Sequence, residues 1–263
     1  MARGPSVAAV VVLAAFACLP ARAGARARPR FEPTDLEWED TGVAELDLQF
    51  GPVRGQGPWR IVVPDFELDL GLLPWLEIDL DGAYAVEGPA TGPFSLDHSA
   101  PDALWLSAKL GVYGIHDAGG AFGAALGFQV GPKLPVAPGA HGLGVESLVL
   151  TGGMVGRLTA VLNLGGFIDP APNAISGRQT GVEAGLDLQF RLDAQNRFGL
   201  TGELGGTHFI SPDPDQLQAT LGFVWSVRPT LDLSLTGLIG SLSGGDRYGL
   251  LLGVSPKVRL FNN

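Results

Sequence analysis

The sequence predicts an all-β protein, a single antiparallel transmembrane β-barrel of about 12 strands following an N-terminal signal peptide. Three observations carry this. Apolar and polar residues alternate in repeated stretches of about ten residues, each closed by turn residues. A short export-type apolar run precedes them. Long and short connections follow each other in turn along the chain.

The amino terminus comes first. Arg3 opens the chain, and Val7 to Leu19 form an apolar run of thirteen residues. That is too short to cross a bilayer as a helix and suits the core of a signal peptide. Ala21-Arg22-Ala23 offers a small-x-small cleavage site, with Ala25-Arg26-Ala27 as a second. Residues 1–23 are therefore expected to be removed, taking with them Cys18, the single cysteine. Ala15 and Phe16 do not supply the Leu and small residue that a lipidation site before Cys18 requires. Residues 24–40, with Arg26, Arg28, Arg30, two prolines and the acidic cluster from Asp35 to Asp40, read as an irregular periplasmic lead-in. The barrel is expected over 41–261.

Twelve strands are expected near 41–50, 61–71, 76–86, 102–112, 120–131, 143–152, 157–168, 179–190, 198–210, 215–227, 231–241 and 248–260. In the eighth, Val182, Ala184, Leu186, Leu188 and Phe190 share one face, and Glu183, Gly185, Asp187 and Gln189 the other. The fourth sets Leu104, Leu106, Ala108, Leu110 and Val112 against Trp105, Ser107, Lys109 and Gly111. The fifth sets Phe122, Ala124, Leu126, Phe128 and Val130 against Gly123, Ala125, Gly127, Gln129 and Gly131, and the tenth alternates likewise from Gln216 to Ser226. A period of two belongs to strands and not to helices. The sixth is ambiguous, because Val145 to Leu150 carries apolar residues in both registers. Pro64 cannot donate a ladder hydrogen bond and marks a bulge or the true start of the second strand.

Long connections are expected at 51–60, 87–101, 132–142 and 169–178, and shorter ones around Pro74, Gly153 to Gly156 and Arg228 to Thr230. Short turns at one end and longer loops at the other match an outer-membrane barrel with both termini in the periplasm, which needs an even number of strands. Lipid offers the backbone no hydrogen-bond partner, so a β-structure can cross it only when the sheet closes. Phe50, Trp59, Trp75, Tyr84, Phe190, Phe198, Trp225 and Tyr248 fall near strand ends, where aromatic girdles form. The structural rival is a soluble β-sandwich, whose apolar faces turn inward.

The whole chain carries a net charge of −10. Without residues 1–23, which hold Arg3, Arg22 and no acid, 15 basic and 27 acidic residues remain, a net −12. Such a surface repels nucleic acid. The acids concentrate on the polar faces of the first three strands: Glu45 and Asp47; Asp65, Glu67 and Asp69; Glu77, Asp79 and Asp81. Later strands add Glu183, Asp187 and Glu203, and Lys109 and Arg157 are the basic residues expected beside them. These residues are expected to line the lumen and to set its selectivity toward cations or polar neutral solutes; the plainer alternative is a solvated wall with no ion preference. Paired carboxylates also occur in glycoside hydrolases, but simple alternation explains their spacing. His98, His116, His141 and His208 show no metal-ligand spacing, and no Gly-x-Ser-x-Gly motif occurs; His141 and Ser147 lie six residues apart without a recognisable orienting group. No catalytic residue, metal or cofactor is expected.

Asp102-Ala-Leu-Trp-Leu-Ser-Ala-Lys109, Gly131-Pro-Lys-Leu-Pro135, Thr201-Gly-Glu-Leu204 and the closing stretch from Leu231 to Leu260 resemble a group of bacterial outer-membrane β-barrels described as transporter-like, the phenol-degradation pathway barrels. The resemblance spans most of 41–261 on loose motifs. It implies passage of small, apolar or aromatic molecules. Outer-membrane barrels of this kind usually end on an aromatic residue read by the assembly machinery; here Phe261 is followed by Asn262 and Asn263. The expected function is a passive channel or transporter in the outer membrane, with lipid, the assembly machinery and a small solute as partners. The alternatives are a closed structural or adhesive barrel that binds through its external loops and, third, an outer-membrane hydrolase.

Overall fold

The computed structural model describes residues 39–55, 59–87, 99–101, 104–116, 122–136, 141–170, 179–210 and 213–261. The expected signal peptide, most of the lead-in, His98, much of the loops at 87–101 and 169–178, the ring of Tyr84 and Asn262-Asn263 lie outside the described residues.

The strands are β1 (Val43–Arg54), β2 (Trp59–Leu73), β3 (Leu76–Glu87), β4 (Ser99–Pro101), β5 (Leu104–His116), β6 (Phe122–Leu134), β7 (Gly144–Val155), β8 (Leu158–Ile168), β9 (Thr180–Arg191), β10 (Phe198–Phe209), β11 (Gln216–Arg228), β12 (Leu231–Gly240) and β13 (Tyr248–Arg259). Each long strand pairs antiparallel with its neighbours in sequence, and β13 returns to pair with β1 (Glu45 opposite Lys257, Leu48 opposite Val254). The sheet is a closed barrel of twelve long strands. The three-residue β4, which the sequence reading lacks, adds to the outer end of β3.

Of the two readings of Pro64, the bulge is the one present: β2 already starts at Trp59, and its register with β3 shifts between Val62 and Asp65. The alternation of β11 places Leu217, Leu221, Phe223 and Trp225 outside and exposed, and Gln218 and Thr220 inside and buried. Such a distribution in a closed sheet defines a greasy exterior, the reverse of a soluble sandwich. Trp59, Trp75, Phe190, Trp225 and Tyr248 are exposed near strand ends, as a girdle requires. Trp59 and Tyr248 meet edge to face at 5.3 Å, with Arg54 against both rings.

The ambiguous β7 resolves with Glu146, Leu148 and Leu150 pointing inward and Val145, Ser147 and Val149 outward. The reason lies across the sheet. Leu148 and Leu150 pack with Trp105 of β5 and Val161 of β8 into an apolar cluster on the inner wall.

Candidate functional site

The interior is built by strand register. Glu45 on β1 stands opposite Lys257 on β13 and Asp69 on β2, and Asp69 stands opposite Asp79 on β3. One layer toward the outer loops, Asp47 faces Glu67, Glu67 faces Asp81, Asp81 faces Trp105 and Trp105 faces Lys133. One layer toward the short turns, Glu77 faces Lys109, and Lys109 faces Gln129. Because side chains alternate across a strand, these residues all project to one side of the sheet.

Each acid is held differently. Lys109 Nζ donates to Glu77 Oε1 at 2.8 Å. Gln129 Nε2 donates to Asp79 Oδ2 and to Ser107 Oγ, both at 2.8 Å, so β3, β5 and β6 are tied at one level. Lys257 Nζ lies 2.9 Å from Glu39 Oε1 and 2.5 Å from Glu45 Oε2. Toward the outer loops, Lys133 Nζ meets Glu146 at 2.7 Å and Asp169 at 2.9 Å, and sits 5.0 Å from the ring centre of Phe167. Across the bore, Asp187 on β9 faces Glu203 on β10, which faces Thr220 on β11.

Glu45, Asp47, Glu67, Asp69, Glu77, Asp79, Lys109, Glu183, Asp187 and Glu203 are buried inside the barrel, and Asp65 and Asp81 are half-buried. Arg157 departs from the expectation. It occupies the two-residue turn between β7 and β8, is exposed, and donates to the carbonyl of Leu192, because β8 begins only at Leu158. Four charged residues not expected in the wall from the sequence belong to it among the described strands: Lys133, Glu146, Asp232 and Lys257. Period two from Gln129 through Gly131 to Lys133, and from Gly253 through Ser255 to Lys257, is the signal that finds the two lysines.

Carboxylate oxygens of Glu45, Asp47 and Asp69 lie within 4.8 Å of one another, as do those of Asp69, Glu77 and Asp79. All-oxygen donors at such separations suit a hard cation, although clustering alone does not make a metal site. Acids outnumber cations on the inner faces of β1, β2 and β3, and Lys109 and Lys257 reach Glu77 and Glu45 from the neighbouring strands.

A closed antiparallel barrel with an apolar exterior and a charged interior defines a transmembrane β-barrel of the outer-membrane type. The solved structures it resembles are of that kind. The COG4313 outer membrane channel from Pseudomonas putida F1 matches with a TM-score of 0.61 at 13% identity, over 87% of this chain and 100% of that one. The NanC porin matches with a TM-score of 0.57 at 9% identity, over 81% and 100%, and the KdgM porin with 0.52 at 8%, over 81% and 98%. No family model and no curated protein sequence matches the chain.

Proposed function

We propose that this protein is a passive outer-membrane channel whose carboxylate-rich inner wall favours cations and polar neutral solutes over anions. The observation that carries it is the register that stacks Glu45, Asp69 and Asp79 beside Asp47, Glu67 and Asp81 on three adjacent strands. Grouped carboxylates in a low-dielectric tube repel an anion and attract a cation. The likeness in fold to a channel and two porins supports the same reading. The apolar patch of Trp105, Leu148, Leu150 and Val161 on the same wall is compatible with solutes that carry an apolar or aromatic face, as the family resemblance implies. The partners are the surrounding lipid, the assembly machinery and that solute.

The test is the zero-current potential of the protein in planar bilayers under a salt gradient. Changing Glu67, Asp69, Glu77 and Asp79 to their amides abolishes cation preference if the wall sets it. An unchanged preference refutes the assignment.

A second reading, a closed structural or adhesive barrel, is favoured by one observation. Lys109, Asp69, Glu77 and Asp79 have essentially no exposed surface, so no water-wide space adjoins this part of the wall. Conductance separates the two readings.

A further inference from the structure

Arg54 ends β1 at the rim that bears the long loops. It stands opposite Trp59 of β2 and Tyr248 of β13, so three side chains form one row across three adjacent strands. All three are exposed on the outside of the sheet. The Arg54 guanidinium carbon lies 5.9 Å from the ring centre of Trp59 and 6.0 Å from that of Tyr248. The two rings brace each other edge to face, which narrows the freedom of the arginine beside them.

Ring contacts draw on the positive charge and leave the five in-plane N–H donors of a guanidinium for another partner. At Arg54 that partner is not a carboxylate. Among the described residues neither its guanidinium nor that of exposed Arg247 forms an ion pair or a hydrogen bond. Arg247 belongs to the same rim, and its backbone N–H donates to the Arg54 carbonyl at 2.7 Å. Its neighbour Asp246 is engaged elsewhere, accepting from Arg60 on the inner face at 2.8 and 2.9 Å. The opposite rim shows the contrast. Arg197 lies 5.7 Å from the ring centre of Phe198 and is matched by its own carboxylate, Asp193, at 3.2 Å. Arg54 has the rings without the acid.

The surface below this row is apolar. Ile239 of β12 stands opposite Tyr248, and one level deeper Leu250 stands opposite Gly237, which in turn faces Leu221 of β11. Ile239, Leu250 and Leu221 are exposed. Gly237 leaves a notch between the two leucines, where an added Cβ would meet only the Leu221 carbonyl oxygen, at 3.9 Å. Cations at headgroup height above such a wall complement a molecule with an anionic head and hydrocarbon chains.

We propose that Arg54, Trp59, Tyr248 and Arg247 form a site on the outer surface of the barrel for the phosphate headgroup of an anionic membrane lipid, whose chains run down the face of Leu250 and Gly237. Arg54 offers the phosphate oxygens a planar fork, and Arg247 adds a second charge. The site goes beyond the channel reading and stands or falls whether or not the bore conducts.

The experiment is native mass spectrometry of the full chain, assembled in detergent as verified by heat-modifiable gel migration. It is titrated with dioleoyl phosphatidic acid or with dioleoyl phosphatidylcholine, which share their chains and differ in the exposed phosphate. Wild type is expected to retain one phosphatidic acid and to bind it several-fold more tightly than phosphatidylcholine. Arg54→Gln is expected to abolish that preference, and Arg54→Lys, which keeps the charge without the fork, to reduce it. Arg197→Gln at the opposite rim is the control and leaves it intact. Equal retention of the two lipids by wild type overturns the site, as does an undiminished preference in assembled Arg54→Gln. Should Arg54→Gln not assemble, Arg54→Lys decides: a reduced preference supports the site and an unchanged one overturns it. Inorganic phosphate at the concentration of the lipid is expected to leave phosphatidic acid bound. Displacement would mark a site for the free anion and overturn the lipid assignment.

Discussion

Lys109 and Glu77 face each other across β5 and β3, with Nζ 2.8 Å from Oε1 and side-chain exposures of 0% and 1%. Removing one member of so buried a pair leaves the other charge without its counterion. Lys109→Met is expected to lower stability by about 3–5 kcal/mol, and the double variant Lys109→Met/Glu77→Gln to recover most of it. Denaturant midpoints in lipid or detergent, combined as a double-mutant cycle, measure this. Additive losses would show that the two side chains act independently.

Leu221, at the middle of β11, is 68% exposed on the outside of the sheet. An arginine near the bilayer midplane of such a barrel costs about 2–4 kcal/mol. Leu221→Arg is therefore expected to reduce assembly into vesicles and to lower the unfolding midpoint of the assembled fraction. A neutral result would place Leu221 away from acyl chains.

The register of β7 makes a sharper comparison. Leu148 packs with Trp105, Leu150 and Val161, while Val149 is exposed on the other face. Leu148→Ala is expected to cost about 2–5 kcal/mol through lost burial and the cavity left behind. Val149→Ala is expected to cost less. Reversal of that order would mean that β7 is shifted by one residue.

Asp193 lies in the turn between β9 and β10. Partial desolvation pushes its carboxyl upward, but the N–H groups of Phe198 and Arg197 and the Arg197 side chain outweigh this and hold it below its ordinary value. A carboxyl lowered in the folded state stabilises its surroundings fully above the ordinary aspartate value. That contribution is lost as pH falls through the lowered one. Amide exchange across 192–198 is expected to stay slow until pH drops below the usual aspartate range, and to be faster at neutral pH in Asp193→Asn. Identical exchange in the variant would remove the turn's dependence on this carboxylate.

Legibility followed the physics of each face. Strands such as β9 and β11 see lipid outside and polar groups inside, so their alternation is clean and their register follows from it. In β7 part of the inner wall is itself apolar, and Leu148 and Leu150 erase the contrast on which period two depends. Most of the acids were legible because they recur at every second position on β1, β2 and β3. Lys133 was hidden by Pro132, which reads as the end of a strand although β6 continues to Leu134. Arg157 misled because a turn of two residues cannot be separated from a strand start by pattern alone. Glu39 has no periodicity to announce it: its place comes from a glycine turn and from the bare surface of Gly71, which are tertiary relationships.

Which face of the sheet meets lipid underlies the lumen and its selectivity alike. A nitroxide scan of single cysteines at positions 217 to 224 of β11 in vesicles measures it, using accessibility to dissolved oxygen. Oxygen accessibility is expected to peak at 217, 219, 221 and 223 and to fall at 218, 220, 222 and 224. A profile without that alternation, or one with the peaks at the even positions, contradicts a barrel bathed in lipid with its carboxylates inside.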